Sequence, residues 1–168
     1  FINKVFLLLA RESQLPDWIN TDIVTVVYHK DFIPAEFLPT FNSCTIEAFL
    51  SKIPRLSEKF IYFNDDIFPI NPLTADDFFT EDKPNLMFRY YPKYNYTNIF
   101  RQQCRNGLNM ITDAIRVPRY PEGQLCVPMH SVTPMLLSTV TKVADLCKEP
   151  INRTISAVRQ GKNVNQYI

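Results

Sequence analysis

Three short apolar runs constrain this chain more than any other feature of its sequence. They cover residues 4–10 (KVFLLLA), 22–28 (DIVTVVY) and 59–63 (KFIYF). Each is brief, aliphatic or aromatic and partly β-branched, and so reads as a buried strand. Turn chemistry separates the first two, with Leu15-Pro16-Asp17-Trp18 and then Asn20-Thr21. A proline-punctuated loop over residues 29–39 comes next. Between residues 43 and 53 the apolar period changes. Ile46, Phe49, Leu50 and Ile53 fall at i, i+3, i+4 and i+7, the stripe of an amphipathic helix. Asn42 or Ser43 caps its start and Pro54 ends it. Strand, short helix, strand in this order predicts α/β layering with a largely parallel sheet.

The second half has a different texture. Residues 86–91 (LMFRYY) read as a further strand. A helix is expected over 98–116, with Phe100, Cys104, Leu108, Ile111 and Ile115 on one face. Pro118 and Pro121 interrupt. A third helix is expected over 134–148, where Pro134 suits a first helical turn. The tail from Asn152 onward reads as helical and then polar. The whole of 1–168 is read as one domain, strand-rich over 1–91 and mainly helical over 92–168.

Composition excludes several classes. A net charge of +1 points to neither nucleic acid nor an anionic membrane surface. Three glycines against 13 prolines leave no glycine-rich phosphate loop. No apolar stretch approaches the roughly 20 residues that span a bilayer. At 46% hydrophobic, the chain has apolar mass for one real core. Cys44, Cys104, Cys126 and Cys147 form no zinc-like spacing and read as small buried hydrophobes. The opening residue is Phe1 rather than Met, so the chain is taken as a piece of a longer one.

The residue group with most chemical content is Asn64-Asp65-Asp66, directly after the third strand. Ligands in open α/β sheets sit beyond the carboxyl ends of strands. Two carboxylates there suit Mg²⁺ or Mn²⁺ shared with substrate phosphates, as a nucleoside-diphosphate donor requires. A solvated turn is the competing reading. Asp76-Asp77 reads as a helix start instead. Asn42 and Ser43 at a helix N-terminus could hold a phosphate or sugar hydroxyl, or merely cap. Glu47, one turn further, borders the apolar stripe and either bonds into the fold or faces the site. His130 stands four residues before Pro134 as a candidate base or phosphate donor, with His29 carrying the same ambiguity. Arg159 is a candidate phosphate partner. Arg89, Arg101, Arg105 and Arg116 compete with it for that role.

Together these residues resemble a known family. The run over 38–66, LPTFNSCTIEAFLSKIPRLSEKFIYFNDD, is similar to the central block of Stealth-type proteins, the bacterial capsule hexose-1-phosphate transferases. These are related to the animal N-acetylglucosamine-1-phosphotransferase. The lead-in QLPDWIN and HKDFIP also looks like the family's. His130 with Pro134 resembles its third block. Arg159 with Asn163-Val164-Asn165-Gln166-Tyr167 resembles its arginine segment, although Val158 stands where the family usually has a second arginine. The family's first block, a strand with an acidic residue, is expected before Phe1, and its last block beyond Ile168.

The resemblance implies a fold of the nucleotide-diphospho-sugar transferase type. It implies transfer of sugar-1-phosphate from a UDP-sugar to a glycan hydroxyl, with UMP released. It implies Asp65 and Asp66 as Mg²⁺ or Mn²⁺ ligands and catalytic residues, with His130 and Arg159 beside them. Asn42, Ser43, Glu47 and Asn64 would shape the substrate pocket. An ordinary glycosyltransferase releasing UDP, and a non-catalytic glycan-binding module, are the alternatives. A bacterial capsule enzyme would work at the cytoplasmic side of the membrane, peripherally attached through parts outside these residues. An animal relative would be lumenal.

Overall fold

A computed structural model describes residues 1–93, 95, 98–159 and 161. The first two runs form β1 (Val5–Leu9) and β2 (Val24–Tyr28), which pair in parallel from Val5↔Val24 to Leu9↔Tyr28. A parallel pair needs a crossover connection rather than a tight hairpin. The connection here is held by local side-chain bonds. Gln14 Oε1 accepts from Ala10 N at 2.8 Å, and Asn20 Oδ1 accepts from Asp22 N at 2.9 Å.

The amphipathic stripe folds as α1 (Ser43–Ala48), continued by a 3₁₀ turn over Leu50–Lys52. Asn42 is its N-cap, with Oδ1 accepting from Cys44 N at 3.2 Å. Leu50 and Ile53 are buried with Val27, Phe32 and Ile33, and Phe6, Leu8, Ile46, Phe49, Phe60 and Tyr62 pack around them. This core joins the parallel pair, α1 and β3 (Lys59–Tyr62). Each large side chain buried there stabilises the fold by about 1.5–3 kcal/mol.

Further along come two short strands, β4 (Phe79–Thr80) and β5 (Lys83–Pro84), and then β6 (Phe88–Tyr91). The back half contains α2 (Ile99–Ala114), β7 (Leu125–Pro128), β8 (Thr133–Leu136), α3 (Leu137–Leu146) and α4 (Lys148–Ile155). Met110, Cys147, Ile151 and Ile155 bury α2 against α4, and Cys104, Leu125 and Val127 bury α2 against β7.

The mixed α/β class holds, and among the described residues parallel pairing is found in the β1–β2 ladder and in one isolated bridge, Phe41 to Arg159. Among the described residues the other ladders, β3–β8, β4–β5 and β6–β7, are antiparallel. The strands β3 and β6 take partners that return from the back half, and those partners arrive in the opposite direction. Two of the expected boundaries change accordingly. Pro134 is not in a helix's first turn; it lies in β8 opposite Ile61. Proline is tolerated in a strand with a free edge, where its missing N–H is not needed by a neighbour. α3 therefore starts at Leu137 and is capped from a distance. Glu58 accepts from Leu137 N through its carbonyl at 2.8 Å and from Ser138 N through its carboxylate at 3.2 Å. β7 was not expected at all, because Pro118 and Pro121 mask a three-residue apolar run. The 75–77 segment is a 3₁₀ turn whose Asp77 accepts from Thr74 N and Oγ1, which is the helix-start reading of that acidic pair.

Candidate functional site

The β3–β8 register decides which residues meet. Tyr62, the last residue of β3, stands opposite Thr133, the first of β8. The chain leaving β3 and the chain entering β8 therefore emerge at the same end. That brings Asp66 and His130 together across 64 residues of sequence. His130 Nε2 lies 3.1 Å and 3.2 Å from the two Asp66 carboxylate oxygens. Both side chains are solvent-exposed. The His130 hydrogen bond, helped by its charge, pulls the Asp66 carboxyl below its ordinary value. Asp66 is thus firmly ionised at neutral pH. An ionised carboxylate only accepts hydrogen bonds, so Nε2 carries the proton between them.

His130 also lines a cleft, together with polar Glu47, Tyr62, Asn64, Ser131 and Thr133 and apolar Phe100, Pro128 and Met129. Glu47 is 4% exposed, a buried carboxylate in the cleft lining. Its field is felt by its neighbours. The Tyr62 phenol is pushed well above its ordinary value by burial first, then by Glu47 and Asp65. The Cys44 thiol is pushed up to about 12 by burial and Glu47, and Cys104 to about 11 mainly by burial. Neither thiol is a nucleophile at neutral pH.

The remaining expected residues fall in different places. Asn64 lines the cleft, and Asp65 is exposed in the turn beside Asp66. Ser43 is the half-buried first residue of α1. Asn42 is fully buried, and its side chain is spent within the fold. Besides capping α1, its Nδ2 donates to the carbonyls of Thr154 and Ala157, both at 3.1 Å. It thereby ties the start of α1 to the chain around the end of α4. Arg159 lies outside the cleft lining, beside Phe41 at the entrance to α1. The companion run 163–167 lies outside the described residues.

Two of the rivals are taken up by the fold. His29 is buried edge-on to Phe32, and burial lowers its value, so it is a neutral core histidine. Arg105 donates to the carbonyls of Tyr120, Pro121 and Gln124 and is structural. The sequence does not mark the cleft residues Met129, Ser131 and Thr133, and Phe100 reads from it only as part of a helix stripe. The signal that could have found them is the strand entering at Thr133, hidden by Pro134.

The donor set also bears on a metal. Among the described residues no three acidic, histidine or cysteine side chains gather as a cage. Adjacent Asp65 and Asp66 nevertheless fit the way Mg²⁺ is commonly held, by one or two carboxylates with the rest of the shell from phosphate and water.

The arrangement is that of a mixed α/β domain with a carboxylate–histidine pair at the mouth of a polar cleft. The conserved region 2 pattern of Stealth proteins matches residues 1–87, which includes α1 and the Asn64-Asp65-Asp66 turn. The chain belongs to the Stealth family. It is 34% identical over 166 residues to a capsular polysaccharide phosphotransferase of Haemophilus influenzae, covering 94% of this chain and 45% of that protein. It is 31% identical to a capsular polysaccharide phosphotransferase of Neisseria meningitidis serogroup B, covering 98% of this chain and 45% of that protein. A capsular polysaccharide phosphotransferase of Actinobacillus suis is 50% identical over 74 residues, 42% of this chain and 20% of that protein. The chain thus spans less than half the length of these relatives.

Proposed function

We propose that the protein carrying these residues is a hexose-1-phosphate transferase of capsule or exopolysaccharide synthesis. Its donor is a UDP-sugar, UDP-N-acetylglucosamine or a similar UDP-hexose, and its acceptor is a glycan hydroxyl. The observation that carries this reading is the Asp66–His130 pair at the mouth of the cleft walled by Glu47. Relatives named capsular polysaccharide phosphotransferases support the same class. On this reading the chain forms one catalytic domain of nucleotide-diphospho-sugar transferase type, working at the cytoplasmic side of a bacterial membrane.

In the reaction the acceptor oxygen bonds to the phosphorus that bears the sugar. The bond from that phosphorus to the oxygen bridging to UMP breaks, and UMP leaves with the electron pair. The acceptor's proton passes to His130. Because Nε2–H faces Asp66, the lone pair of the neutral ring is on Nδ1, the nitrogen that takes this proton. Asp66 then stabilises the imidazolium. Asp65 and Asp66 would hold Mg²⁺ or Mn²⁺, which when bound neutralises charge on the pyrophosphate. Arg159 steadies phosphate charge, Asn64 orients the donor, and Ser43 and Glu47 shape the pocket.

The test uses the intact protein with UDP-N-acetylglucosamine, Mg²⁺ and a glycan acceptor. UMP release with a phosphodiester signal in phosphorus NMR is expected. UDP release with a phosphorus-free product would mean an ordinary glycosyltransferase. No turnover and no metal-dependent UDP-sugar affinity would mean a glycan-binding module.

A further inference from the structure

Arg159 is held in a different way from Arg105 and Arg119. Arg105 is spent on carbonyls and Arg119 on Asp113. Among the described residues no carboxylate lies within ion-pair reach of Arg159. Its backbone is tied down instead. Phe41 N–H donates to the Val158 carbonyl at 2.9 Å, and Phe41 and Arg159 form an isolated parallel bridge. Two fully buried amides grip the flanks. Asn42 holds the carbonyls of Thr154 and Ala157, and Gln103 Nε2 holds the carbonyl of Gly161 at 3.1 Å. The side chain then lies over the Phe41 ring, its guanidinium carbon 5.0 Å from the ring centroid.

Phe41 itself is 64% exposed. A large aromatic side chain at the surface adds little to the core, and here its ring face carries the guanidinium. A guanidinium stacked on an aromatic face keeps its edge N–H donors free and gives up rotamer freedom in advance. Such a group is pre-oriented for bidentate contact with an anion. The place fits. Phe41 enters α1, and Glu47, the fifth residue of that helix, lines the cleft. The stacked arginine and the cleft carboxylate thus lie towards opposite ends of one short helix.

We propose that Phe41 is a positioning residue for Arg159, presenting its guanidinium to the phosphates of a nucleoside diphosphate. The proposal rests on the phosphate role given to Arg159 above, and it is tested by binding, so that it is judged apart from turnover. Affinity of the intact protein for UDP with Mg²⁺ is measured by calorimetry for the wild type, Arg159→Ala, Phe41→Leu and Phe41→Tyr. Phe41→Leu keeps apolar bulk without a π face, and Phe41→Tyr keeps the face. Phe41→Leu should weaken UDP binding about two- to fivefold, and Phe41→Tyr should restore it. The Phe41→Leu effect should vanish in the Arg159→Ala background. Unchanged affinity in Phe41→Leu, equal weakening in Leu and Tyr variants, wild-type affinity in Arg159→Ala, or no UDP binding by the wild type each overturns it. The expected binding pattern without any UMP release would keep this inference and refute the transfer reading instead.

Discussion

Replacing Asn42 tests how the front and back of the chain are joined. The side chain makes three bonds in a fully buried setting: the α1 cap to Cys44 N at 3.2 Å and the clasp to the carbonyls of Thr154 and Ala157 at 3.1 Å each. Loss of an N-cap costs about 1 kcal/mol. Each clasp bond contributes about 0.5–1.5 kcal/mol net. The Thr154 carbonyl keeps Ala157 N as a partner, so it is not orphaned by the change. Asn42→Ala should therefore lower unfolding free energy by about 2–4 kcal/mol, a large share of a domain stability of roughly 5–15 kcal/mol. Asn42→Ser keeps a good capping oxygen and loses the clasp, so it should fall between wild type and alanine. Asn42→Asp also keeps the cap but turns an acceptor towards two carbonyls, and should destabilise at least as much as alanine. Urea unfolding with an unchanged m-value reads these differences as shifts in midpoint. Asn42→Asp as stable as wild type, or Asn42→Ala costing under about 0.5 kcal/mol, would refute the clasp.

Further outcomes follow from the site. Asp66→Asn and His130→Ala should each lower UMP release at least tenfold in a quenched-time-point assay of the intact protein, and near-normal turnover in either removes that residue from the chemistry. The Asp66 carboxyl should titrate below 3.8 by NMR and move back towards it in His130→Ala. Its folded value is the depressed one, so the stabilising contact is complete above the unfolded carboxyl value and is lost as pH falls through the folded value. Cys44, buried and pushed up to about 12, should resist iodoacetamide at pH 8, whereas half-buried Cys126 should react first by peptide mass mapping. UDP-sugar affinity should drop when Mg²⁺ is removed with EDTA, and an unchanged affinity would argue against Asp65 and Asp66 as metal ligands.

The sequence carried the local elements and one end of the site. The valine, isoleucine and phenylalanine runs are legible as strands because period and length are local properties. The stripe from Ile46 to Ile53 is legible as a helix, with its stop at Pro54, for the same reason. The Asn64-Asp65-Asp66 turn and its block are linear motifs, so they can be recognised without a fold. Arg159 and His130 could be nominated from their blocks, but no local rule says what they touch.

What only the tertiary structure decided is pairing. The direction of the β3 ladder depends on a strand 71 to 77 residues later, and Pro134 disguises that strand as a helix start. That single register carries His130 to Asp66. Asn42 likewise reads as a cap or a ligand from its neighbours alone, and its clasp forms only because α4 and the residues after it bring the Thr154 and Ala157 carbonyls to its amide. Chemistry-bearing residue types are written along the chain. Which of them become partners depends on contacts between distant segments, and those exist only once the cores around Leu50 and Met110 have closed.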